Sequence, residues 1–238
     1  MKKLLCAVGC FVAFTASVNF CNADIILDGM NLGSGTETGA NGALRAQDLV
    51  INADNGGGTF ILLDQSQNNI IAQNNAVTVD IQAGLLNVQR NTFLGNDAGG
   101  ALTFNVSGGI AQFDDDVGIG RDEATTLVTI SGGEFNVAGA LSFDVPGGAG
   151  GVRPGFGTLD FTADSTGSLT VAGLAAADFE AFFDSGDITV GGIAGVAGTF
   201  GDFFQVDGST LSLIAVPEPS SLALLGLGVV GLVVRRRK

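Results

Sequence analysis

The chain has 238 residues, no His, Trp or Tyr, 38 Gly, and 24 acidic against ten basic residues, for a formal net charge of −14. The lack of His excludes Ser-His-Asp triads and His-ligated metals. The acidity argues against nucleic acid and anionic lipid as partners, because like charges repel. At 46% hydrophobic residues, the composition is also too apolar for a disordered chain.

In chain order, Met1-Lys2-Lys3 forms a short positive segment, and residues 4–18 form an apolar run broken only by Thr15 and Ser17. Cys21-Asn22-Ala23 then presents the small residues that signal peptidase reads. Residues 1–23 therefore read as a signal peptide, with Asp24 as the mature start. Ala7-Val8-Gly9-Cys10 competes as a lipobox, but only five apolar residues precede that cysteine. All three cysteines (Cys6, Cys10 and Cys21) lie in the leader. The exported chain then has no disulfide, no cysteine-ligated zinc and no cysteine nucleophile.

Residues 24–216 form the exported body, 193 residues long, enough for one domain with a substantial core. It holds 23 acidic residues against Arg45, Arg90, Arg121 and Arg153, a net charge of −19, with no Lys. Such a surface stays soluble and attracts divalent cations. Of the 38 glycines, 34 fall in the body. Between them lie short alternating runs of Val, Ile, Leu, Phe and Thr, the pattern of many short strands.

The first strand is predicted at residues 24–27, followed by a Gly/Ser/Thr/Asn loop over 28–42. Strands follow at 48–52 and 59–63 across an Asn55-Gly56-Gly57-Gly58 turn, and Ile70-Ile71-Ala72 forms another between paired asparagines. Asn and Gly suit such turns because they tolerate positive φ.

The middle of the body repeats. Phe104-Asn105-Val106-Ser107-Gly108-Gly109 matches Val128-Thr129-Ile130-Ser131-Gly132-Gly133 at a spacing of 24 residues. At that spacing Phe113, Val117 and Ile119 fall on Val137, Leu141 and Phe143. One unit earlier, Val88 precedes Phe113 by 25, and Leu94-Gly95-Asn96-Asp97 precedes Ile119-Gly120-Arg121-Asp122 by 25. A unit of two or three strands is too short to bury an apolar face alone, so neighbouring units must stack. The expectation is an all-β fold: a parallel β-solenoid over roughly residues 49–171, with Ser-Gly-Gly corners between sheet faces. A β-sandwich is the alternative. The repeat region resembles the autotransporter-associated β-strand repeats of exported bacterial proteins.

Residues 174–183 are predicted as the one helix of the body. Ala favours helix, and Phe179, Phe182 and Phe183 share a face at i, i+3 and i+4. Gly186 would end it, and the helix would cap the solenoid's open end. Strands at Ile188–Val190 and at residues 211–215 close the body.

The strongest candidate for chemistry is Asp114-Asp115-Asp116, with Asp122 and Glu123 close behind. Paired carboxylates hydrolyse glycosides in some enzymes, and oxygen ligands hold Ca²⁺. Neither signal is specific here, since the spacing matches no calcium-loop pattern. Asp97 and Asp122 occupy equivalent repeat positions, which points to a role in turns. No catalytic, cofactor or metal residue is assigned.

Beyond the body come Pro217-Glu218-Pro219, two serines, an uncharged apolar run over 222–234, and Arg235-Arg236-Arg237-Lys238. The prolines hold the backbone extended, and terminal cations keep that end cytoplasmic. Thirteen apolar residues cover roughly 20 Å of a hydrocarbon core about 30 Å thick, a short single transmembrane helix. Residues 217–238 resemble the PEP-CTERM sorting signal. The resemblance implies an exosortase that reads Pro217, Glu218, Pro219, Arg235, Arg236 and Arg237 and cuts near the Pro-Glu-Pro. It further implies passage through the inner membrane and delivery to the bacterial surface or extracellular polysaccharide matrix. Three readings follow: a non-enzymatic surface or matrix protein, a carbohydrate-active or glycan-binding solenoid, and a permanently anchored protein whose tail stays uncut. The absence of Trp and Tyr stacking platforms disfavours the second.

Overall fold

The structure, a computed structural model, describes residues 25–27, 36–39, 44, 48–51, 57–62, 68–146 and 156–214. The signal peptide and the sorting tail lie outside the described residues. The body is a parallel β-solenoid of about five turns, not a sandwich. Each full turn contributes one strand to each of three sheets.

Sheet I contains β1 (Ile25–Leu27), β3 (Leu49–Ile51), β6 (Ala76–Ile81), β9 (Ala101–Val106), β12 (Thr125–Ile130), β15 (Phe156–Phe161), β17 (Ile188–Val190) and β18 (Ile193–Ala194). Sheet II contains β2 (Thr36–Gly39), β4 (Thr59–Leu62), β7 (Leu85–Val88), β10 (Ile110–Phe113), β13 (Glu134–Val137), β16 (Ser168–Val171), β20 (Thr210–Leu213) and β19 (Phe204–Asp207). Sheet III stacks β5 (Asn69–Gln73), β8 (Thr92–Asn96), β11 (Val117–Arg121) and β14 (Leu141–Val145). The parallel stack is longer than the span read from the repeats. It runs from β1, paired with β3, to β17, paired with β15. Residues 28–42, expected as loop throughout, contain β2, which pairs in parallel with β4.

Strand alternation sends every second side chain inward, and the in-register stacking turns these into continuous apolar columns. Leu49, Val79, Phe104, Val128, Leu159 and Ile188 form one column of sheet I, all fully buried. Leu62, Val88, Phe113, Val137 and Val171 form another in sheet II. The repeat spacings of 24 and 25 are therefore one circuit of the coil. The phenyl rings meet at the centre: Phe113 lies 5.0 Å from Phe135, and Phe104 lies 5.8 Å from Phe135 and 6.2 Å from Phe113. A core of Phe without Tyr or Trp leaves no buried phenol hydroxyl or indole N–H to satisfy.

The Ser-Gly-Gly corners join sheet I to sheet II. Gly84, Gly109 and Gly133 stack there with φ of 72°, 75° and 71°. A Cβ at Gly133 would lie 2.5 Å from the Gly109 carbonyl oxygen, so room as well as φ demands glycine. The corner from sheet III to sheet I repeats a left-handed residue too, at Ala72, Gly95, Gly120 and Asp144.

The C-terminal end is closed differently on each face. Helix α1 (Ala176–Ser185) takes the place of a further sheet III strand, with Phe182 packed 5.1 Å from Phe143 of β14. Phe179 and Phe183 are buried in the core. The Asp178 carboxylate accepts the Ala175 N–H at 2.8 Å, and left-handed Gly186 ends the helix with its N–H on Phe183 O. Strand β18 then pairs antiparallel on β17, and β20 antiparallel on β16. The single-helix expectation is corrected by α2 (Phe200–Phe203), one short turn that presses Phe200 against Phe183 and Phe204.

Two predictions follow from this packing. Phe113→Ala should lower the unfolding free energy by about 3–5 kcal/mol, because a fully buried ring is lost from a core that cannot collapse. Gly173→Ala, with φ of 81° and open space around it, should cost about 1–2 kcal/mol for the left-handed backbone alone. Gly133→Ala should cost more, since its Cβ also meets backbone. Urea unfolding of the three variants gives both comparisons.

Candidate functional site

The acidic run sits at the corner between sheets II and III, where β10 ends at Phe113 and β11 begins at Val117. The side chain of Phe113 turns inward into the core, which leaves the next three residues to round the corner exposed. Each carboxylate is engaged with the chain itself. Asp114 accepts from the Asn87 amide at 3.2 and 3.3 Å and from Gln112 at 3.4 Å. Asp115 accepts the Asp116 N–H at 3.0 Å, and with the Asn91 amide turned so that its nitrogen faces this carboxylate, Asn91 donates to it at 2.7 and 3.0 Å. Asp116 accepts the Ala140 N–H at 2.7 Å, from the next turn of the coil.

Asp122 and Glu123, neighbours of this run in sequence, are held apart from it in space. The five residues of β11 intervene, about 17 Å of extended chain, and place them at the corner between sheets III and I. There Asn74, Asp97 and Asp122 occupy one position of successive turns with φ of 56°, 68° and 52°. Asp97 accepts from Gln73 at 2.8 Å and from Asn74 at 3.4 Å. Asp and Asn tolerate this left-handed backbone better than most residues. Among the described residues no group of three or more Asp or Glu side chains is gathered to hold a metal ion.

One surface contact has no counterpart in the sequence reading. The Arg121 guanidinium lies 4.3 Å from the centre of the Phe93 ring, and Phe93 itself covers Gly118 of the neighbouring strand. Arg121 and Phe93 are 28 residues apart, and only the stacking of β8 on β11 joins them. A glycine in mid-strand beside a ring in the previous turn is the signal that would have found it.

The sorting residues Pro217, Glu218, Pro219, Arg235, Arg236 and Arg237 lie outside the described residues. The last described residue, Ile214, still donates its N–H to Phe203 O at 2.8 Å, so hydrogen-bonded structure continues to within three residues of Pro217. Among the described residues no helix is long and apolar enough to cross a membrane.

Residues 215–238 match the PEP-CTERM protein-sorting motif. The PEP-CTERM match spans Pro217, Glu218, Pro219, the apolar run and the terminal cations. It makes this an exported protein, targeted to an exosortase, anchored in a membrane and then processed. The match does not enter the repeat body, whose likeness to autotransporter-associated repeats rests on the residues quoted above. No curated protein and no solved structure matches the chain.

Because Asp116 bonds across turns, Asp116→Ala should destabilise the fold by about 1–2 kcal/mol. Asp116→Asn, which keeps an acceptor oxygen, should cost less. Equilibrium unfolding in urea separates the two.

Proposed function

We propose that the chain is a non-enzymatic protein of the bacterial surface or extracellular matrix. A signal peptide removed by signal peptidase carries it out, and an exosortase matures it at the PEP-CTERM tail. The observation that carries the non-enzymatic part is the state of Asp114, Asp115 and Asp116. A general acid or base needs a carboxylate free to meet a substrate proton, whereas Asp114 and Asp116 bond to adjacent turns and Asp115 bonds within the corner itself.

The outer faces suit a scaffold. In sheet I, the half-buried Asp80, Asn105, Thr129 and Asp160 stack outward in one column. Their spacing is about 4.8 Å, the distance between neighbouring strands. Such a row offers repeated hydrogen-bonding groups to a neutral extracellular polysaccharide. An anionic polysaccharide is disfavoured by the net charge of −19 on the body.

Intact mass of the protein from culture supernatant and from envelope tests the sorting step. Loss of the residues after the Pro-Glu-Pro region, with or without added glycan mass, is the expected result. A chain still ending at Lys238 and confined to the inner membrane would leave a permanent anchor instead. The triple variant Asp114→Asn, Asp115→Asn, Asp116→Asn tests the rest. Polysaccharide cleavage by the parent protein that this variant abolishes would replace the scaffold with an enzyme.

A further inference from the structure

The C-terminal cap carries a stretch unlike the rest of the surface. Residues 191–201, GGIAGVAGTFG, contain no charged side chain. Most of them are exposed. Within and beside it, Ile193 is 70% exposed, Val196 69% and Phe203 38%, three of the five large exposed hydrophobics among the described residues. Single exposed apolar residues are ordinary, but these cluster on one support. Gly195 N–H donates to Phe183 O at 3.2 Å, and the Phe183 ring lies 5.6 Å from that of Phe203.

The same support anchors the exit of the chain. Ile214 N–H donates to Phe203 O, and the apolar run of the tail starts at Leu222. Eight residue steps at full extension reach about 29 Å. While the tail is in a bilayer, the uncharged loop is therefore held within a short tether of the lipid surface, and the high local concentration lets a weak contact form. Asp184, Asp187 and Asp202 flank the loop and oppose anionic headgroups.

We infer that the cap loop, through Ile193 and Val196, is a contact surface for the zwitterionic bilayer that holds the protein's own unprocessed tail. It seats the solenoid end-on against the membrane and presents the Pro-Glu-Pro segment at the lipid interface, where a membrane-embedded protease works. The inference rests on the reading that residues 222–234 enter the membrane.

The test uses leader-cleaved protein with its tail intact, purified from membranes of an expressing cell that lacks exosortase; this chain has no cysteine of its own. It is reconstituted into phosphatidylcholine vesicles and labelled with an environment-sensitive fluorophore at Ala194→Cys. Ala76→Cys, five strands away along sheet I, is the control site. The expected result is flotation with the vesicles, a blue shift at position 194 that nitroxide at headgroup depth quenches, and no shift at position 76. Ile193→Ser with Val196→Ser should abolish the shift and leave flotation unchanged. Replacing part of the lipid by phosphatidylglycerol should weaken the shift. Flotation with position 194 in a fully aqueous environment would overturn the contact and leave the tail reading standing. Flotation that persists when the chain is ended at Ser221, with position 194 in an aqueous environment, would show that the tail is not the tether, and would overturn both.

Discussion

In-register parallel stacking is the constraint on which this structure depends. No single turn buries its apolar side chains alone; each inward position also needs its equivalents above and below. A shift of one residue within any strand would send a whole set of side chains to the other face. Length variation is therefore confined to corners. Successive sheet I strands start at Ala76, Ala101 and Thr125, spacings of 25 and 24 residues, yet the next starts at Phe156, 31 later. The added residues fall between Val145 of β14 and Phe156 of β15, and the columns on either side keep their register.

The same constraint makes the ends a hazard. A parallel stack finishes in three open strand edges, each able to accept another chain. At the C-terminal end the chain changes rule instead of adding another turn. Sheet III is covered by a helix, and sheets I and II each receive an antiparallel strand. A second phenylalanine cluster, Phe161, Phe183, Phe200 and Phe204, fills the volume that the next turn would have occupied. Antiparallel pairing and the helix reverse the chain within a few residues, which a parallel circuit cannot do.

The repeats were legible because stacking writes one residue type at one interval. Phe113 falling on Val137, and Ser-Gly-Gly on Ser-Gly-Gly, reports inward columns and a corner too crowded for a side chain. The turn role of Asp97 and Asp122 was legible for the same reason, as both need a left-handed backbone. Strand β2, which pairs with β4, was not, since Thr-Glu-Thr-Gly has no apolar alternation. Proximity in sequence misled for Asp116 and Asp122, because a strand separates neighbours by its full length while stacking unites residues 24 or 25 apart. The cap hairpin lies outside the repeat, so periodicity had nothing to report there.

A fold held by columns leaves its outer faces free of structural duty, and this bears on what the body does. Inward positions take nearly all the large apolar residues. The carboxylates are displaced to corners and outer faces, where Asp114, Asp116 and Asp97 find an amide or a backbone N–H from an adjacent residue or turn. Negative charge is thus spread along the coil and not gathered in a cleft. Long-range repulsion then acts between whole molecules and keeps an exported protein dispersed. Length, rigidity and a repeated polar surface are what the scaffold role proposed above would draw on. The tail adds its address independently: the sorting-motif match begins at residue 215, outside the repeats, and such a tail would serve a coil of any number of turns.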